Sequence, residues 1–209
     1  MTITYALMEK LEEIVTAQPE NVRIALKTRV VNLIKDGEEV IGVEIEKDGQ
    51  VTQEFGPVVL ATGGYAADFT DTSLLKKYRP DIYDLPTTNG DYSTGDGIKM
   101  AYGVGANAVD LEKVQVHPTG LVDPKEPDAK VKFLAAEALR GVGGLLLTND
   151  GLRFCDELGH RDYVTGEMWK NKKAPYRLVL NGAASKEIEW HCKHYMGRGL
   201  MKHFKSGAE

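Results

Sequence analysis

The chain has 209 residues, 42% of them apolar and 27% charged, with a formal net charge of −5. That length buries a core for one large or two small domains, and an acidic balance without a long basic run argues against nucleic acid as a partner. No apolar run approaches the ~18 residues of a membrane span, no charged-then-apolar secretory signal opens the chain, and two cysteines, Cys155 and Cys192, make no disulfide framework. The expectation is a soluble, intracellular protein, of the cytosol or of an organelle such as the mitochondrion. The 22 glycines are the compositional oddity. They cluster at 63–64, 95–105 and 141–144, as in folds where backbone comes close to a ligand.

Apolar Ala6, Leu7, Leu11, Ile14 and Val15 recur at three- and four-residue spacing between charged residues, which predicts an amphipathic helix over 5–16, ended by Pro19. A β-rich region follows: alternating Val22, Ile24 and Leu26, then Val30–Ile34, Val40–Ile45 and Val51–Phe55, with turns at Asp36-Gly37 and Asp48-Gly49. Together these read as a small antiparallel meander. Pro57–Thr62 is an unbroken apolar run closed by Gly63-Gly64. It reads as a buried parallel strand whose carboxyl end faces a ligand, or merely as a strand and a tight turn. Residues 65–93 read as short helices with loops. Thr94-Gly95-Asp96-Gly97 opens a helix through Met100, Ala101 and Val104; Asp96 suits a cap, and the two glycines bring free amides toward an anionic or polar group.

Val109–Val116 reads as a strand delivering His117, which Pro118 holds extended. A surface loop over 121–131, a helix over 133–139, a buried strand over 144–147 and a hairpin turn at Asp150-Gly151 follow. A helix is expected from Asp162, a strand over 176–180, and then one helix from Asn181 carrying Ala184, Ile188, His191 and Tyr195. Taken singly, His117, the i,i+3 pair Glu137 and Arg140, and Arg161 are ordinary packed or surface residues. His191-Cys192-Lys193-His194 places two histidines on one helix face but lacks a partnering pair with zinc spacing, so no metal is expected. Cys155 reads as a small buried residue.

In combination these residues carry a resemblance. Ala61-Thr-Gly-Gly64, Thr94-Gly-Asp-Gly97, Gln115-Val-His-Pro-Thr-Gly120, Phe133-Leu-Ala-Ala-Glu-Ala-Leu-Arg-Gly141, and Arg153-Phe through His160-Arg-Asp162 stand in one order. Over nearly the whole chain they resemble the flavoprotein fumarate reductase family, of the soluble eukaryotic type; the short link from Arg153-Phe154 to Arg161-Asp162 sets it apart from the membrane-complex flavoproteins. The fold this implies is α+β: a β-meander and the edge of an FAD-binding α/β domain over 1–105, and most of the substrate-capping domain over 106–209.

The resemblance implies reduction of fumarate to succinate by hydride transfer from N5 of reduced FAD. Arg161 matches the family's proton donor, Arg140 and Glu137 its relay partners, and His117, Glu137 and Arg161 its substrate contacts. Thr62, Gly63, Gly64, Thr94, Gly95, Asp96 and Gly97 match FAD-contacting loops. Ala136 departs from the threonine of bacterial members and His160 from a common threonine. The Gly-x-Gly-x-x-Gly turn that opens an FAD-binding domain has no match, and neither do a second substrate histidine and arginine. The expectation is therefore an internal segment that neither holds FAD nor turns over by itself, its partners being fumarate and the remaining FAD domain of a longer chain, with no nucleic acid and no membrane. Two other readings stand beside it: a related FAD-dependent reductase or oxidase of another unsaturated or amino acid, and a non-catalytic domain that keeps the motifs as structure.

Overall fold

The structure, a computed structural model, describes residues 2–207. The described residues divide into two compact units, one up to Ala61 with Gly97–Asn107, the other Thr62–Asp96 with everything from Ala108 onward.

In the first unit the predicted opening helix forms as α1 (Thr2–Ala17), although Leu7 and Leu11 on its apolar side stay exposed. The meander forms as predicted: β1 (Arg29–Asp36), β2 (Glu39–Lys47) and β3 (Gln50–Phe55) pair antiparallel in sequence order. Lys47 pairs with Gln50 across the two-residue Asp48-Gly49 turn. Both turn residues take positive φ, 52° and 78°, the geometry whose twist matches the flanking strands. Gly42 is required in β2, because a Cβ there would stand 2.3 Å from the Glu54 carbonyl oxygen. The predicted strand at Val22–Leu26 is absent: the amides of Asn21 and Val22 turn back onto Gln18, and Lys27 at φ 54° reverses the chain. Pro57–Thr62 is likewise neither paired nor buried. A parallel strand needs neighbours to take its backbone groups, and β1–β3 bond only to one another.

The second unit contains α2 (Leu74–Tyr78), a 3₁₀ turn at Pro80–Ile82, and the Asp96 that begins α3 (Asp96–Gly103), a helix continuing in the first unit. It continues with β4 (Gly120–Leu121), β5 (Phe133–Leu134), α4 (Ala138–Gly141), β6 (Leu145–Leu147), α5 (Arg161–Asn171), β7 (Arg177–Val179), α6 (Gly182–Glu187) and α7 (Glu189–Gly197). β4 pairs with β5 and β6 with β7, both antiparallel. The core lies here: Ala135, Leu139, Ile188, Cys192 and Tyr195 pack together.

Three sequence expectations fail in this unit, the first two because partners outside the segment take its backbone groups. Val109–Val116 is not a strand: Asp110 adopts φ 61°, and Arg79 Nη1 donates to the carbonyls of Glu112 and Val114 at 3.2 and 3.1 Å, which a strand neighbour would otherwise have bonded. The helix expected over 133–139 starts only at Ala138, since the Ala135 amide donates to Thr119 O at 3.0 Å and the Ala136 amide to the Tyr195 hydroxyl at 2.8 Å. The helix from Asn181 is two, broken at Ile188 (φ −111°, ψ 31°); Asn181 caps the first by accepting from the Ala184 amide at 2.9 Å.

Candidate active site

The residues singled out in the central stretch meet in the second unit. Glu137 sits at the N-cap of α4, Arg140 inside that helix, and Arg161 is the first residue of α5. Gln115 and His117 lie two apart on the irregular segment before β4. Arg161 grips Glu137 with two parallel bonds, Nε to Oε1 at 3.1 Å and Nη2 to Oε2 at 2.7 Å, the fork geometry that makes arginine–carboxylate pairs directional. Its remaining Nη1 donates to Gln115 Oε1 at 2.5 Å. Arg140 Nη2 donates to the same Glu137 Oε1 at 2.7 Å, so one carboxylate bridges two guanidiniums.

Burial is graded along this chain. The Arg140 side chain is 3% exposed, against 46% for Glu137 and 36% for Arg161. Arg140 Nη1 bonds the carbonyls of Glu157 and Gly159, whereas its buried Nε has no partner among the described residues. Hydrogen bonding by Arg161, and then the nearby positive charges, hold the Glu137 carboxyl down at about 2. Glu137 in turn raises the Arg161 guanidinium. Burial, and next the Arg161 charge, lower the His117 pKa. His117 Nδ1 faces the Thr119 amide at 3.3 Å. A backbone N–H only donates, so Nδ1 is the acceptor and the ring proton lies on Nε2.

The glycine loops divide into open and packed positions. Gly63 (φ +76°) and Gly64 have nothing within 4 Å of where a Cβ would stand. A Cβ on Gly95 (φ +74°) would stand 2.8 Å from Tyr65 Cβ. The Gly95 amide donates to Gly64 O at 3.1 Å, tying Thr62–Gly64 to Thr94–Asp96, and Thr94 Oγ1 bonds Asp96 Oδ1 at 3.0 Å. Gly97 is the second residue of α3 and belongs to the first unit. A brace at Gly95 behind bare backbone at 63–64 fits close approach by a flat or anionic group such as FAD.

Sequence reasoning did not give Gln115, Thr119 or Glu157 a part. The first two lie within two residues of His117, and their location there was the available signal. Glu157 is buried and takes the Leu146 amide at 2.9 Å. It also takes three bonds from Arg153, at 3.1, 3.0 and 2.7 Å; the i,i+4 spacing was its only sequence sign. The His191–His194 stretch holds no metal cluster: no group of three or more such ligands occurs among the described residues. His194 stacks on Trp190 instead, with ring centroids 5.3 Å apart. Cys155 is half-buried rather than buried, and burial pushes its thiol up to about 11.

Residues 2–202 match the family described as FAD binding domain. The chain belongs to that family. It is 51% identical over 208 residues to fumarate reductase of Schizosaccharomyces pombe, covering 98% of this chain and 40% of that protein. It is 40% identical over 171 residues to fumarate reductase 1 of Saccharomyces cerevisiae, covering 80% of this chain and 36% of that one. Among solved structures, the open conformation of a flavocytochrome c3 fumarate reductase superposes with a TM-score of 0.62 at 29% identity, covering 90% of this chain and 31% of the other. The chain thus spans about two fifths of the length of the curated relatives it matches. No helix among the described residues is long and apolar enough to cross a membrane.

Proposed function

We propose that this chain supplies the proton-donating and substrate-capping part of an FAD-dependent fumarate reductase that converts fumarate to succinate. The observation carrying this reading is the unbroken link Arg140–Glu137–Arg161, with one carboxylate shared between a buried and a half-exposed guanidinium. Thr62–Gly64 and Thr94–Asp96 would help hold FAD, which in its reduced form supplies the hydride that adds to one alkene carbon. Residues 1–105 then contribute to the FAD-binding domain, and 106–209 to the domain that closes over the substrate.

The dianionic substrate wants fixed cationic and N–H donors. His117 presents Nε2–H to one carboxylate, and Arg161 stands at the alkene as the acid. Addition of hydride to one carbon leaves electron density on the other, which takes a proton from Arg161. Guanidinium holds its proton above a pKa of ~12, and pairing with Glu137 tightens that hold, so donation requires prompt return. The same pairing supplies it: once Arg161 is neutral, Glu137 loses the partner that keeps its proton affinity low. It then takes a proton from Arg140 and passes it on, the relay being refilled from water.

The test is an Arg161→Ala change in the full-length enzyme, assayed with fumarate and a reduced dye. Loss of about 10²–10⁴-fold in kcat, with FAD retained, is the expected outcome. Unchanged turnover removes Arg161 from the chemistry and this reading with it.

A further inference from the structure

We propose that Glu157 is a positioning residue for the Arg140 end of this relay, acting through both its side chain and its main chain; the inference rests on the function proposed above. Arg140 is buried, and with its Nε unpartnered its orientation is set by its two Nη groups alone. Nη2 meets Glu137, and Nη1 meets the carbonyls of Glu157 and Gly159. Those two carbonyls belong to one tight turn, closed by Gly159 N–H to Asp156 O at 3.1 Å and Leu158 N–H to Asp156 Oδ1 at 3.0 Å. The Glu157 side chain fixes that turn from its other side. Its carboxylate, 4% exposed, accepts the Leu146 amide from β6 at 2.9 Å and the Arg153 fork at 2.7–3.1 Å.

The connection closes on itself. The Gly144 amide donates to Leu139 O at 3.0 Å, joining the end of α4 to the start of β6, and a Cβ on Gly144 would stand only 2.4 Å from that oxygen. Arg140 is thus held by α4 on one side and, through β6 and Glu157, by the turn that its own guanidinium bonds. A buried carboxylate that accepts four hydrogen bonds from three protein donors is costly to disturb, so the carbonyl facing Arg140 Nη1 is kept in place. Proton transfer depends steeply on donor–acceptor placement, and a shift of about 1 Å far from the reacting atoms costs on the order of 100-fold.

The experiment compares wild type, Glu157→Gln, Arg153→Lys and Arg161→Ala in the full-length FAD-loaded enzyme, with fumarate and a reduced dye. It reads kcat, KM, FAD content and the solvent isotope effect on kcat. Glu157→Gln keeps an acceptor for Leu146 but loses the charged pairing, and is expected to lower kcat by about 100-fold. KM and FAD content should change little, and the solvent isotope effect should rise as proton delivery comes to limit turnover. Arg153→Lys keeps the charge but not the fork, and should move the same quantities in the same direction to a smaller extent. Unaltered kcat and isotope effect in both variants, or losses that merely follow the amount of folded, FAD-bearing protein, would overturn the assignment. If Arg161→Ala abolishes turnover while Glu157→Gln does not alter it, only this inference fails. If Arg161→Ala leaves turnover intact, the proposed function fails first.

Discussion

The meander and the charged cluster are held together by opposite means. In β1–β3 the backbone groups of one strand are spent on the next, residue against residue, and the side chains contribute little burial: Leu33 is the buried apolar residue of the sheet, and Val51 and Phe55 stay exposed. Around Glu137 the segments carry almost no ladder. Their carbonyls and amides are satisfied by side chains instead: Arg79 on Glu112 and Val114, Thr165 on Val116, Tyr195 on Ala136, Arg140 on Glu157 and Gly159. A ladder tolerates exchange of most side chains because the backbone carries it. A site whose backbone is pinned by side chains has few residues that can change without moving the rest.

Removing one pin should therefore cost more than disturbing one ladder. Arg140→Met takes the donor from two carbonyls in a buried setting, at about 3 kcal/mol from the unsatisfied groups. Hydrogen exchange in the full-length protein should show lost protection over Ala138–Gly141 and Asp156–Gly159, with β1–β3 unchanged. Loss of protection spread evenly over both regions would contradict the contrast. The complementary change is Gly49→Ala. Space is open around Gly49, so the cost comes from its φ of +78° alone, roughly 1 kcal/mol. Exchange should quicken in β2 and β3 while fumarate turnover by the full-length enzyme stays as before. A fall in turnover would mean the meander is coupled to the chemistry.

The same contrast explains what the sequence disclosed. The meander was readable because Asp36-Gly37 and Asp48-Gly49 announce turns, and alternation between them leaves little choice of register. The run at Val109–Val116 also read as a strand and failed, because no pattern in the run reveals that Arg79, some thirty residues earlier, claims its carbonyls. Pro57–Thr62 carried an equally good strand signal, and no strand among the described residues pairs with it. The charged residues were legible in another way. Glu137, Arg140, Arg161 and His117 were marked by their order and by a family resemblance, and the structure joins the first three directly. Gln115 and Glu157, which hold two of those arginines, were hidden because a side-chain amide or a main-chain carbonyl in a loop has no periodicity to betray its partner.

The smallest effect to be measured is a titration, and it separates the two regions without a mutation. Exposed carboxylates ordinarily titrate near 4.3, whereas Glu137 is held down at about 2, first by the Arg161 hydrogen bonds. A lowered carboxyl favours the folded arrangement fully above its unfolded value, and that contribution is lost as pH falls from about 4.5 towards 2. His117 runs the other way in charge but not in sign. Its pKa is lowered by burial, so the unfolded chain binds the proton more readily, and stability falls as pH drops below 6.5. Acid should thus loosen the cluster in two stages while β1–β3 stays paired. Carboxyl and imidazole signals followed by NMR in the full-length protein would show this as a Glu137 midpoint near 2 and a His117 midpoint below 6.5. A Glu137 midpoint at the ordinary value would mean that Arg161 does not grip it in solution. The relay would then lack its central link.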